Sequence, residues 1–145
     1  MEEKISESLD GITAIFLDLD GTIYLGDGLI DGALEFLGRL EERGIRRYFL
    51  SNNSSKSVEQ YLEKLRGLGI DADEEEILLS THDLIAWLSG KEVTSTFLVG
   101  TEGMRSMLEK EGINTSAERP EFVVLGYDTE ISYEKLATAS IHLHE

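Results

Sequence analysis

Two aspartates, Asp18 and Asp20, stand two residues apart in the segment AIFLDLDGTIYLGDG, at the end of an apolar run and just before Gly21 and Thr22. In an extended chain residues i and i+2 point to the same side, so both carboxylates leave the strand together. Beside a buried apolar strand such a pair needs neutralising, and a hard, oxygen-seeking cation such as magnesium does that. Adjacent carboxyls also push their pKa values apart, so that one stays ionised while the other can hold a proton. An ionised carboxylate can attack phosphorus to give an aspartyl-phosphate, which water then hydrolyses; a metal polarises the phosphoryl oxygens and offsets charge repulsion. Asp18 is expected to be the nucleophile and Asp20 the acid/base.

A second polar cluster, Ser51-Asn52-Asn53-Ser54-Ser55, follows another apolar run and precedes a helical pattern that opens near Ser57. Hydroxyls, amides and the unpaired N–H groups of a helix start form a natural phosphate cradle. Ser54, Ser55 and Ser57 read equally well as helix caps. Ser51 and Asn52, at the strand end, are the better functional candidates.

The elements that must position these groups follow from hydrophobic spacing. Ile12 to Leu19 reads as a buried parallel strand. Ala33, Phe36, Leu37 and Leu40 predict a helix that stops at Gly44. Ile45 to Leu50 predicts a second strand, and Val58, Tyr61, Leu62 and Leu65 a second helix ending near Gly67 to Gly69. Strand, helix, strand, helix implies a parallel sheet with right-handed crossovers. The alternation continues through a short strand at Ile77 to Ser80, a helix at Asp83 to Leu88, strands at Thr96 to Val99 and Phe122 to Leu125, and helices at Glu102 to Glu111 and Tyr133 to His144. Trp87 and Leu88 are expected in the core. In such sheets ligands bind outside the carboxyl ends of the strands, where Asp18, Asp20 and Ser51 fall.

Composition narrows the classes. The 145 residues carry a formal net charge of −16 and no cysteine, with 41% hydrophobic residues. The charge excess disfavours nucleic acid, whose backbone needs clustered Lys and Arg. Without cysteine there is neither a disulfide framework nor a thiolate zinc site, and a cytoplasmic setting is the default. The acidic start, Met1 to Glu7, lacks the pattern of a signal peptide, and no apolar run reaches membrane-spanning length.

DLDGTIYLGDG followed by LSNNSS resembles the haloacid dehalogenase superfamily, specifically its NagD-like, para-nitrophenyl phosphatase branch. The later stretch PEFVVLGYDTEISYEKLATA is similar to the cap of that branch, so the likeness runs over nearly the whole chain. It implies an α/β fold, a Rossmann-like parallel sheet with helices on both faces, with residues 1–81 as the N-terminal part of the core and 82–145 as the first portion of an inserted α/β cap. It implies that Asp18 attacks and ligates Mg2+, and that Asp20 offers its backbone carbonyl to the metal and acts as acid/base. Ser51, Asn52, Asn53, Gly21 and Thr22 would bind the substrate phosphate, and Gly21 to Gly28, with Tyr24, would form a flap hinged on its glycines. The reaction implied is phosphate monoester hydrolysis on a small phosphorylated metabolite.

The superfamily also needs a lysine and a downstream Gly-Asp-x-x-x-Thr-Asp motif, and no such motif is present. The economical expectation is a truncated, catalytically crippled chain that associates with its missing C-terminal part or forms a homo-oligomer. A small capless phosphatase using Asp128 as the downstream acid, with Lys91 or Lys110 as the lysine, stays open as an alternative, as does a non-catalytic, receiver-like phosphate-binding module. An EF-hand fails because glycine comes fourth rather than sixth and Leu29 stands at position twelve. Gly26-x-Gly28 lacks the third glycine of a dinucleotide fingerprint. His142 and His144, two apart on a helix, face different ways and read as surface residues.

Overall fold

The computed structural model describes residues 11–144. The acidic start discussed above lies outside the described residues. In chain order the elements are β1 (Ala14–Asp18), β2 (Tyr24–Leu25), β3 (Gly28–Leu29), α1 (Ala33–Glu42), β4 (Arg46–Ser51), α2 (Val58–Gly67), β5 (Ile77–Leu79), α3 (Ser80–Gly90), β6 (Thr96–Val99), α4 (Glu102–Lys110), β7 (Phe122–Leu125) and α5 (Tyr133–His142). The expected α/β architecture is present.

The first sheet is parallel in the order β1-β4-β5. Its register pairs Ala14 with Arg46 through Asp18 with Leu50, and Phe49 with Ile77. Leu17, Leu19, Phe49, Ile77 and Leu79 from the strand ends join Leu37, Leu40, Tyr61 and Leu65 from α1 and α2 in one core. Both helices therefore cover the same face of this sheet. Successive right-handed crossovers that advance in one direction across a sheet put their helices on one side. Among the described residues the opposite face shows Phe16, 62% exposed, together with Leu50 and Leu78. Phe16 stacks on Tyr48 with ring centroids 5.2 Å apart.

The helix boundaries follow local chemistry. α1 ends before Gly44, whose φ of +66° is a conformation that costs glycine little. α2 opens on a reciprocal cap: Ser57 Oγ accepts from the Gln60 amide at 3.4 Å, and Gln60 Oε1 accepts from the Ser57 amide at 2.8 Å. α3 starts at Ser80, earlier than the apolar spacing suggests, because His82 Nδ1 reaches back to accept from the Leu79 amide at 3.1 Å. Leu88 is fully buried as expected, but Trp87 is 47% exposed. The buried stripe of α3 runs through Thr81 and Leu88, so Trp87 falls a helical step aside. There it meets Phe122 edge-on, with Lys91 over its ring at 4.9 Å.

A second parallel pair, β6 with β7, pairs Thr96 with Phe122 through Val99 with Leu125. It carries its own core of Leu88, Val93, Leu98, Met104, Leu108, Ile113 and Val124. This unit touches the first along α4, whose Met107 joins the first core and whose start approaches α2. A Cβ on Gly103 would lie 2.5 Å from Gln60 Oε1 and 2.9 Å from the Ser57 nitrogen, so only glycine allows this approach. Thr101 Oγ1 donates to the Ser55 carbonyl at 2.8 Å, and the Tyr127 amide donates to Ser54 Oγ at 2.8 Å.

Candidate active site

Alternation along β1 and beyond places Leu17 and Leu19 in the core and leaves Asp18 and Asp20 exposed, as the i, i+2 spacing requires. The chain then reverses tightly. The Leu19 carbonyl accepts from the amides of Thr22, Ile23 and Tyr24 at 3.0 to 3.3 Å. Gly21 makes the reversal possible with φ +89°. Its N–H donates to the Tyr24 carbonyl at 2.7 Å. Gly21 was expected among the phosphate-binding residues; here that N–H closes the turn. Thr22, expected in the same role, donates its hydroxyl to Asp18 Oδ2 at 3.3 Å and so orients the carboxylate.

The flap expected over Gly21 to Gly28 is a short hairpin, in which Tyr24 pairs with Leu29 and Leu25 with Gly28. Tyr24 is not presented on it. Its side chain is fully buried, and its hydroxyl has no hydrogen-bond partner among the described residues. Burial foremost, and then the charge of Asp20, push the phenol well above the usual tyrosine range. Lys64 Nζ lies 3.8 Å from the centre of its ring.

β4 delivers the second cluster beside the first, since Asp18 and Leu50 are register partners. Ser51 is buried, and its Oγ lies 2.7 Å from the Tyr61 hydroxyl while accepting from the Asn53 amide at 3.2 Å. Asn52 is exposed. Asn53 Oδ1 accepts from the Ser55 amide at 2.9 Å, which leaves its NH2 group as the donor it can offer. Of the three serines that read as possible caps, Ser57 caps α2, whereas Ser54 and Ser55 hold the second unit. Burial raises the Tyr61 phenol too, the Ser51 hydrogen bond opposes that, and the charges of Asp20 and Asp18 add to it. Tyr61 read only as helix core in the sequence; the missed signal is that a tyrosine at a core position needs a partner for its hydroxyl.

The groups named for a capless arrangement are committed elsewhere. Asp128, 1% exposed at its side chain, receives Lys135 Nζ at 3.0 Å. Lys110 pairs with Glu74 at 3.4 Å, and Lys91 covers Trp87. His142 sits against Phe97, with ring centroids 5.0 Å apart, and His144 is exposed. Among the described residues no group of three or more His, Asp or Glu side chains is placed to hold a metal ion. The Asp18 carboxylate and the Asp20 backbone carbonyl have the oxygen-donor chemistry of a hard cation site, and these two residues would hold it.

The parallel sheet thus carries paired aspartates at the end of its first strand and a Ser-Asn-Asn turn at the end of the neighbouring strand, within an α/β fold. Residues 15–114 match the family of haloacid dehalogenase-like hydrolases, and the chain belongs to it. It is 38% identical over 130 residues to the acid sugar phosphatase of Staphylococcus aureus, covering 88% of this chain and 50% of that protein. It is similar to the crystal structure of 4-nitrophenylphosphatase from Thermotoga maritima, with TM-score 0.87 and 38% identity over 93% of this chain and 52% of that one. A glycerol phosphate phosphatase from Mycobacterium tuberculosis, solved in complex with magnesium, aligns with TM-score 0.81 and 26% identity over 91% of this chain and 41% of that one. The chain spans about half the length of the curated relatives it matches.

Proposed function

We propose that these residues form the nucleophile side of a magnesium-dependent phosphate monoester hydrolase acting on small organic phosphates. The observation that carries this reading is the adjacency of Asp18 and Asp20, exposed at the end of β1, to Ser51, Asn52 and Asn53 at the end of the neighbouring parallel strand β4. The relatives' names support the substrate class: an acid sugar, 4-nitrophenyl or glycerol phosphate each presents a phosphate monoester.

In the first step an Asp18 carboxylate oxygen bonds to phosphorus, the bond from phosphorus to the ester oxygen breaks, and Asp20 gives that oxygen its proton. In the second, Asp20 takes a proton from water as the water oxygen attacks the aspartyl-phosphate, releasing phosphate and restoring Asp18. Thr22 holds Asp18 in orientation, while Ser51 and the side-chain NH2 groups of Asn52 and Asn53 grip the phosphoryl oxygens. Magnesium, when held by Asp18 and Asp20, supplies positive charge that offsets repulsion between carboxylate and phosphate. The Asp18 carboxylate and the Asp20 carbonyl make a partial cation shell on their own, so turnover by these residues alone is expected to be weak.

Residues 82–145 fit the first portion of a cap, and 1–81 the matching part of the core. The cysteine-free composition supports a cytoplasmic setting; among the described residues no helix is long and apolar enough to cross a membrane. The test is hydrolysis of para-nitrophenyl phosphate with and without magnesium. Activity that is removed by a chelator and by Asp18→Asn supports the reading; hydrolysis that survives Asp18→Asn refutes the nucleophile assignment.

A further inference from the structure

The Ser51 hydroxyl has one proton and two lone pairs to distribute. One lone pair receives the Asn53 amide at 3.2 Å. The remaining question is the 2.7 Å contact with the Tyr61 hydroxyl, in which either atom can donate. If Ser51 donated to Tyr61, its only proton would be spent inside the core and it would turn a lone pair toward an anionic phosphate. If Tyr61 donates, both lone pairs are filled and the serine proton is left for the phosphate. Burial and the nearby charges of Asp20 and Asp18 raise the phenol above its ordinary value despite the opposing Ser51 hydrogen bond, so near neutral pH it has that proton to give.

We propose that Tyr61 is a positioning residue for phosphate recognition: its phenol donates to Ser51 Oγ and, together with the Asn53 amide, forces the serine proton outward toward the phosphate. This rests on the reading of Ser51 as a phosphate ligand. It adds to that reading a residue of α2 that never touches substrate, and it separates two roles for one buried hydroxyl, filling the core and setting the polarity of its neighbour. The Tyr61 ring packs with Leu65 and Phe49 in the core, so Tyr61→Phe keeps the packing and removes only the donor.

The experiment titrates the full chain with inorganic phosphate by calorimetry, for the wild type, Tyr61→Phe, Ser51→Ala and the double variant, with melting curves to verify folding. Tyr61→Phe is expected to weaken phosphate binding about 3- to 10-fold, a fraction of what one charge-assisted hydrogen bond is worth. The double variant is expected to bind no more weakly than Ser51→Ala alone, because Tyr61 acts only through Ser51. Replacement of Tyr61 by 4-aminophenylalanine, which returns a donor to the same place, is expected to restore affinity, and it serves as the second variant should Tyr61→Phe fold poorly. A phosphate Kd unchanged in folded Tyr61→Phe overturns the proposal, as does a double variant whose loss is the product of the single losses, or 4-aminophenylalanine binding as weakly as phenylalanine. Wild-type chain that binds no phosphate overturns the reading of the site itself, and the role of Tyr61 with it.

Discussion

Removal of the Lys135 ammonium should damage stability and leave the phosphate site alone. Lys135 Nζ donates to Asp128 Oδ2 at 3.0 Å, to the Gly100 carbonyl at 2.9 Å and to the Glu130 carbonyl at 3.1 Å. The Asp128 side chain is 1% exposed and that of Lys135 22%. Lys135→Met therefore strands a buried carboxylate facing two carbonyl oxygens. Breaking a fully buried pair from one side costs about 3–5 kcal/mol; the water that reaches Lys135 reduces this to about 2–3 kcal/mol. With a urea slope of about 2 kcal/mol per M, the unfolding midpoint falls by about 1–1.5 M. Unfolding followed by the fluorescence of Trp87 measures the shift. Lys135→Met combined with Asp128→Leu should recover much of the loss, since the stranded charge goes with its partner. A loss under about 0.5 kcal/mol would show that the pair is solvated and refute the burial argument. The functional arm is as sharp: if Asp128 served the chemistry, folded Asp128→Asn would lose hydrolysis selectively, whereas its commitment to Lys135 predicts phosphate binding like that of the wild type.

Three further expectations follow from other parts of the molecule. Gly103→Ala drives a Cβ against the Ser57 nitrogen at 2.9 Å, backbone that cannot step aside, and should cost about 1–3 kcal/mol in thermal or urea unfolding. Tyr24 has a folded-state pKa raised above its ordinary 10.0, so its stabilising share is complete below pH 10 and drains as pH rises toward the folded value. The loss is up to about 1.4 kcal/mol per pH unit, and Tyr24→Phe should flatten the alkaline limb of the stability profile by that amount. Phe16, Leu50 and Leu78 expose an apolar sheet face, so light scattering after size exclusion should find association at micromolar concentration that Phe16→Lys weakens; a monomer in both would reject that face as an interface.

The strands and helices were legible because burial dictates their periodicity. Leu17 and Leu19 alternate with Asp18 and Asp20, and Leu37 and Leu40 follow helical spacing, so the fold class and the aspartate pair came from the sequence together. Hydrogen-bond allocation was not legible. Nothing in Asp-Leu-Asp-Gly-Thr says that Gly21 gives its N–H to Tyr24 or that Thr22 turns to Asp18, because those choices follow from a turn closed by three amides on one carbonyl. Trp87 was misplaced for a related reason: its size suits a core, but its angular position on α3 is set by Leu88, one residue later and fully buried. The partnership of Tyr61 with Ser51 spans ten residues and two elements, and no local pattern encodes it.

The segment from Ser51 to Ser55 is held at both ends, and the two ends belong to different units. Ser51 is bonded into the first core through Tyr61. Ser54 and Ser55 are bonded to Tyr127 and Thr101 around the second sheet. Asn52 and Asn53, proposed together with Ser51 as donors to phosphate, lie between these fixed points. A shift of the second unit that breaks the contacts of Tyr127 and Thr101 must relax this span from its C-terminal side, while Asp18, held by β1 and Thr22, stays in place. On the proposed reading, phosphate grip and nucleophile position are mechanically separable. The Gly103→Ala variant, which wedges the start of α4 away from α2, should weaken phosphate affinity before it disturbs the Asp18 carboxylate.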